Sequence, residues 1–198
     1  MHEPKQKRSM ETRRKILDTA FELFCKNGYF KTSTNEIAKT ANISIGNLYF
    51  YFKDKDTIFF EIINLYNESF LNVHEEFYND MKKFQDDPNI WMHELMNSII
   101  QIHEKSKELN REIYILRFSK PEVENLMQKQ HEQIKKIVFD YIQYFKDKIK
   151  IQDTEAAITV ILAFFNSVVD EIIWSKNKIE RERILREAEN AVEKYLFY

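Results

Sequence analysis

Glycine is nearly missing. The 198 residues contain two, Gly28 and Gly46, with three prolines and a single cysteine. Hairpins depend on Asn-Gly, Asp-Gly and related turns, and parallel sheets on glycine-punctuated strand-to-helix turns. Both are excluded at this glycine content. The long stretches of Glu, Lys, Ile, Leu, Asn and Phe between sparse breakers predict an all-α chain of about nine helices. One cysteine, Cys25, excludes an internal disulfide and fits a reduced, cytoplasmic setting. Long apolar runs are also scarce. The most apolar, Ala156 to Val169, is bracketed by Glu155 and Asp170 and interrupted by Asn166 and Ser167, so it is expected to be too short and too polar to span a bilayer. The basic N-terminus has no apolar run behind it, so no signal peptide is expected.

What is present is charge, unevenly placed. Hydrophobic residues at 43% and charged residues at 31% fit a folded chain rather than a disordered one. The net charge of −2 conceals +5 through Lys55 (11 Lys/Arg against 6 Asp/Glu) and −7 thereafter (19 against 26). A basic N-terminal quarter on an acidic body directs one end towards a polyanion; the alternative is a chance cluster on a solvated tail.

Residues 1–9 read as a basic flexible arm. Ile16, Leu17, Ala20, Phe21 and Phe24 then recur at helical spacing up to Asn27-Gly28, where Gly28 suits a left-handed C-cap. Ser33-Thr34-Asn35-Glu36 has the form of a capping box, with Glu36 reaching back to the helix start. Ile37, Ala38 and Ala41 form that second helix's buried face, and Asn42 can replace glycine at a left-handed turn. Ser44 caps a short third helix, Ile45 to Tyr51. Gly46 lies in its first turn, at about 1 kcal/mol cost relative to alanine, which implies a close approach to that backbone. A fourth helix is expected from Lys55 to about Phe84, with a break at Asp86-Asp87-Pro88. Further helices are predicted over about 89–107, 109–118, 121–150, 153–175 and 180–197.

Two short helices joined by a tight turn and preceded by basic residues form a helix-turn-helix plan. Ala38, Ile43 and Leu48 can make the small core that fixes the crossing. Ser33, Ser44 and the amides they cap can face phosphates, and Ile45, Gly46 and Asn47 are presented to base edges. Asparagine favours adenine edges, and an apolar side chain favours a thymine methyl.

Gly28-Tyr29, Thr32-Ser33, Ile37-Ala38, Ala41, Ile43-Ser44, Gly46, Leu48-Tyr49, Tyr51-Phe52, Lys55 and Ile58 resemble, in order and spacing, the N-terminal signature of TetR-type regulators. The resemblance covers about residues 10–70. Asn42 stands where glycine is usual and Thr34 where an apolar residue is usual. The resemblance implies a DNA-binding domain over 10–70, its motif about 33–52, and a helical ligand-binding and dimerisation domain over 71–198. It implies phosphate contacts at Ser33, Tyr49, Tyr51 and Lys55, and base readers at Ile45, Asn47 and Phe50, with Asn35 in either role. Phe50 can equally be read as a packing residue; for Tyr49 a place on the rim of the small core is the weaker reading. The function implied is that of a repressor on a near-palindromic double-stranded DNA operator, acting as a homodimer.

The C-terminal part is less legible. Val160, Ile161, Phe165, Val168, Val169 and Ile172 fill more than one stripe of their helix, and with Ile184, Ala188 and Val192 of the last helix they are expected to form a four-helix dimer interface. Trp91, Met96, His103, Tyr114, Phe118, Met127, His131, Tyr141, Phe164 and Asn166 are the candidates for lining an apolar or aromatic effector site, against the alternative of a plain core. His2, His74, His93, His103 and His131 show no metal-ligand spacing, and no phosphate-binding glycine loop exists, so neither metal nor cofactor is expected. Nothing pairs a nucleophile with a base, so an enzyme built on His93, His103 and His131 is the weaker reading. A DNA-binding adaptor of the same fold without an inducer is the nearer rival.

Overall fold

The computed structural model describes residues 3–81, 88–176 and 178–197. The described residues form helices α1 (Glu3–Asn27), α2 (Thr34–Thr40), α3 (Ile45–Tyr51), α4 (Lys55–Asp80), α5 (Pro88–Lys105), α6 (Lys107–Arg117), α7 (Pro121–Tyr144), α8 (Thr154–Trp174) and α9 (Arg181–Leu196). The all-α expectation holds.

Several boundaries differ from the sequence reading. The span read as an arm is helical from Glu3, because Pro4 is tolerated in a first turn and strong helix formers follow. α7 ends at Tyr144 rather than near Lys150. A short 3-10 turn over Lys146–Lys148 follows, and the C-terminal segment then captures the chain: Lys150 N–H donates to Leu196 O at 2.9 Å and Ile149 bridges Phe197. The expected break at Asp86-Asp87 and the last turn of α4 towards Phe84 lie outside the described residues.

The chain divides into two compact units. The first comprises residues up to Asn67 together with Ser106–Met127, so α6 and the start of α7 group by contact with the N-terminal helices. Within it α1 packs on α2 and α6, and α2 on α3. Its core is Ile16, Ala20, Phe24, Ile37, Leu48, Phe52, Ile58 and Phe59, all essentially inaccessible, with Phe24 edge-on to Phe59 at 5.3 Å between ring centres.

The second unit comprises Glu68–Lys105 and residues from Gln128 onward, with α5, α8 and α9 mutually packed. Trp91 meets Tyr141 edge-to-face at 4.7 Å, and its indole N–H donates to Phe77 O at 3.1 Å. The Tyr141 hydroxyl donates to His74 O at 2.9 Å and lies 3.0 Å from His74 Nδ1. Burial holds both His74 and His103 down to a pKa of about 4, so both rings are neutral at pH 7.

α8 corrects a further expectation. Running on to Trp174, it is long and apolar enough to cross a membrane by length and composition. Its apolarity has another cause, because it is two-sided. Ala157, Ile158, Val168, Val169 and Ile173 are buried in the unit, while Val160 and Phe164 stand 56% and 37% exposed on the opposite face.

Candidate nucleic-acid interface

Each short helix of the motif is set by local chemistry. Gly28 takes φ +84°, and its N–H closes α1 on Phe24 O at 2.9 Å. Ser33 Oγ accepts from Glu36 N–H at 3.2 Å, which starts α2. The other half of the expected box differs: the Glu36 carboxylate accepts from Asn27 Nδ2 at 3.1 Å and ties α2 to the end of α1. Asn42 takes φ +51°, the left-handed position expected of it, and Ile43 N–H donates to Ala38 O at 3.0 Å across the turn. Ser44 Oγ accepts from Asn47 N–H at 3.1 Å to start α3. Leu48 and Phe52 lock α3 inward, and the Arg13 guanidinium lies 5.3 Å from the Phe52 ring centre.

This frame leaves one face of α3 outside. Phe50 is 78% exposed, Tyr49 51% and Ile45 37%, and Ser44, Gly46 and Asn47 are exposed with them. A Cβ added to Gly46 would meet nothing within 4 Å, so no packing inside the chain requires glycine there. Ser33 and Asn35 are exposed on α2, and Tyr51 is half-buried with its ring edge-to-face against Phe50. The Tyr49 hydroxyl is hydrogen-bonded to Thr34 Oγ1 at 3.0 Å, so the unusual threonine fixes the phenol at the α2–α3 junction.

Lys55, for which the resemblance implied a phosphate contact, is bound within its own unit. Its ammonium donates to the carbonyls of Tyr29 and Thr32, each at 2.8 Å, and lies 4.2 Å from the Tyr29 ring centre. Burial lowers its pKa. The side chain ties the α1–α2 turn to the start of α4.

It belongs to a polar junction that sequence reasoning missed. Tyr29 N–H donates to Glu112 Oε2 at 2.8 Å, and the Tyr29 hydroxyl bonds Asp56. Lys120 Nζ lies 2.8 Å from Asp56 Oδ1 and 5.2 Å from the Tyr29 ring centre. Burial would raise the Asp56 pKa, but the bonds from Lys120 and Tyr29 outweigh it and hold the carboxyl below its ordinary value. Burial and the bond to Asp56 push the Tyr29 phenol well up. A sequence signal existed for Glu112. It occupies the i+3 position of the apolar stripe Leu109, Ile113, Leu116, where a carboxylate needs a partner.

The other candidate sets are redistributed. Trp91, Met96 and Tyr141 are buried, and His103 is half-buried, in the second unit, with the His103 ring 4.9 Å from Phe70. His131 and Asn166 are exposed, as is Phe164. Tyr114 and Phe118 belong to the first unit and are 64% and 76% exposed, ring against ring at 5.5 Å; Met127, half-buried, is also in that unit. Seven of the ten thus belong to the second unit and three, Tyr114, Phe118 and Met127, to the first. A surface cavity of about 430 Å³ lined by Lys150, Ile151, Gln152, Asp153, Ala156, Lys194 and Tyr195 contains none of them.

The proposed interface set also splits. Val168, Val169, Ala188 and Val192 are buried within the chain, whereas Ile161, Phe165, Ile172 and Ile184 are half-buried and Val160 is exposed. The outward face of α8 is instead Ala156, Thr159, Val160, Ala163, Phe164, Ser167 and Trp174, and that of α9 includes Ala191 and Tyr195. Among the described residues no group of His, Cys, Asp and Glu is placed to hold a metal ion. Cys25 is half-buried, and burial pushes its thiol up to about 11, so it is not a reactive thiolate.

A helix-turn-helix whose second helix stands out from a capped, tightly packed frame defines a DNA-binding regulator. Residues 16–62 match the bacterial regulatory proteins of the TetR family, and residues 69–192 match the tetracyclin repressor-like C-terminal domain. The chain belongs to the TetR family of transcriptional regulators, whose members are regulators and not enzymes. It is 52% identical over 56 residues to the HTH-type transcriptional regulator QacR of Staphylococcus aureus, covering 28% of this chain and 30% of that protein. It is 37% identical over 107 residues to the HTH-type transcriptional regulator AcrR of Shigella flexneri, covering 53% and 48%. The chain thus spans less than half the length of these relatives. Among solved structures, a TetR transcription regulator from Haloarcula marismortui shares the fold at a TM-score of 0.77 and 14% identity, with 94% of this chain and 99% of that one covered.

Proposed function

We propose that the chain is a homodimeric repressor that reads a near-palindromic operator in the cytoplasm and is released by a small apolar or aromatic effector. The observation that carries the DNA-reading part is the exposed face of α3, Ile45, Gly46, Asn47 and Phe50, held out by a packed frame whose helix starts are capped by Ser33 and Ser44. In the dimer the outward faces of α8 and α9 pair with their copies about a twofold axis, which covers Val160 and Phe164. The two α3 helices then enter major grooves about 34–36 Å apart or somewhat more. Affinity depends on phosphate contacts and falls steeply with salt. The test is retention of duplex DNA at a series of salt concentrations. A sequence-selective complex that weakens with salt supports the reading, and affinity that is flat from about 50 to 200 mM refutes its electrostatic part.

The effector part rests on the aromatic, neutral interior of the second unit, Trp91, Tyr141 and His74 in one cluster and His103 beside Phe70, which suits an uncharged ligand. Release requires that the ligand bind the non-operator conformation more tightly, and coupling of about 1–3 kcal/mol weakens operator binding about 5- to 150-fold. A second reading, a DNA-binding protein of this fold with no inducer, is favoured by the exposure of His131, Phe164 and Asn166, three candidate lining residues of the second unit. A thermal-shift screen of small molecules, followed by operator release by each hit, separates the two.

A further inference from the structure

The outward face of α3 has a chemistry that limits which base pairs it can read. From Thr40 through Phe52 no residue carries a charge. Lys31, Lys39 and Lys53, just outside that stretch, are exposed. Guanine O6 and N7 are taken by arginine or lysine, and cytosine N4 by a carboxylate. α3 offers neither.

It offers instead two apolar side chains, an amide, and the Tyr49 ring, whose hydroxyl is tied to Thr34. Phe50 is 78% exposed and rests edge-to-face on Tyr51, with ring centres 5.1 Å apart. One helical turn before it, Gly46 leaves open space where a side chain would stand. Ile45 is 37% exposed at the first position of the helix. Asn47 gives its backbone N–H to Ser44, and its side chain is exposed between them. A lone exposed phenylalanine is ordinary on a protein surface. Two apolar groups flanking an exposed asparagine and a bare glycine, on the second helix of a helix-turn-helix, are matched to a thymine methyl and an adenine edge.

We infer that α3 reads A·T base pairs, with Ile45 and Phe50 against thymine 5-methyl groups and the Asn47 amide on N6 and N7 of adenine. The flanking lysines hold phosphates and contribute no base preference. This rests on the DNA-binding reading above and adds the class of operator: half-sites whose bases under α3 are A·T, with guanine contacts absent there.

The experiment selects binding sites for the full-length protein from a randomised duplex library. Each thymine of the selected site is then replaced in turn by deoxyuridine, which removes only the 5-methyl group. The expected result is an A·T core in each half-site and a loss of about three- to fivefold at one or more of its thymines, the worth of one buried methyl group. Phe50→Ala or Ile45→Ala should bind more weakly and lose that discrimination; both side chains are exposed, so circular-dichroism melts should match the parent. Selection of G·C pairs under α3, or thymine and deoxyuridine bound equally throughout, overturns the inference while leaving a sequence-reading regulator in place. If no sequence is enriched above bulk DNA, the inference and the DNA-binding reading both fail, and the exposed face of α3 becomes a surface for a protein partner.

Discussion

Glu112→Ala should destabilise the chain by about 2 kcal/mol, which is large for a residue in neither the motif nor the body's core. Glu112 is 5% exposed, and its Oε2 accepts from Tyr29 N–H at 2.8 Å. Its two carboxylate oxygens also lie 3.4 Å from where a Cβ on Gly28 would sit, so the group fills the space beside the α1–α2 turn. Removing it leaves a buried amide without its acceptor, a loss of about 1–3 kcal/mol, and hydrogen bonds to charged groups fall in a similar range. For a chain of this size about 2 kcal/mol corresponds to roughly 4–8 °C in Tm. Glu112→Gln is the control. It keeps an acceptor of the same shape and sheds the cost of burying a carboxylate whose ion pair with Arg111 Nη2 is long, at 3.9 Å, so it should lose less than about 1 kcal/mol. Thermal melts of parent and both variants decide the matter. If the alanine variant melts within about a degree of the parent, the bond contributes nothing measurable. A glutamine variant less stable than the alanine one would place the effect in the charge and not in the acceptor.

Three further outcomes follow from named contacts. Asn42→Ala should cost about 1–2 kcal/mol in chemical denaturation because alanine resists φ +51°, whereas Asn42→Gly should not destabilise; equal losses would show that strain is not the cause. Lys120→Met removes a bond that holds Asp56 below its ordinary pKa. A depressed carboxyl contributes stability above its unfolded pKa of about 3.9 and loses it as pH falls through the folded value. The stability gap between parent and variant should therefore be present at neutral pH and close below about pH 4, and a gap independent of pH would refute the ionic reading. Val160→Glu should give a folded monomer by sedimentation, since the residue is 56% exposed, whereas Val168→Glu, at 9%, should unfold the second unit; a folded dimer from Val160→Glu rejects this face as the interface.

The motif was legible because its signals are local. A serine three residues before the amide it caps, a glycine and an asparagine where φ must be positive, and an apolar triad at the crossing each act within a few residues. The junction around Tyr29 was not legible, because Glu112 is 83 residues away and nothing in the spacing shows that Lys55 holds two carbonyls. Which interface candidates are buried within the chain was not legible for a related reason. Apolar content along α8 cannot distinguish the buried stripe from the stripe facing outward, since both carry apolar residues: Ala157, Ile158, Val168, Val169 and Ile173 in one, Val160, Ala163, Phe164 and Trp174 in the other. For the effector candidates, spacing within a helix places residues on a face without saying which unit that helix joins, and Tyr114 and Phe118 fall in the first unit with α6.

α2 and α3 have seven residues each, far shorter than a helix that persists alone in water. They exist because caps and packing hold them, so the reading face inherits its geometry from residues that never face outward. Leu48 and Phe52 are effectively inaccessible, and Ser44 and Ser33 close the helix starts. The turn before α2 depends in addition on Lys55, Glu112 and, through Asp56, Lys120. Residues of α6 and the α6–α7 connection thus set the position of a helix more than seventy residues earlier in the chain. A change in α6 reaches that turn through the Glu112 carboxylate with no intervening side chain, while the exposed face of α3 remains free to vary in sequence without disturbing the frame that carries it.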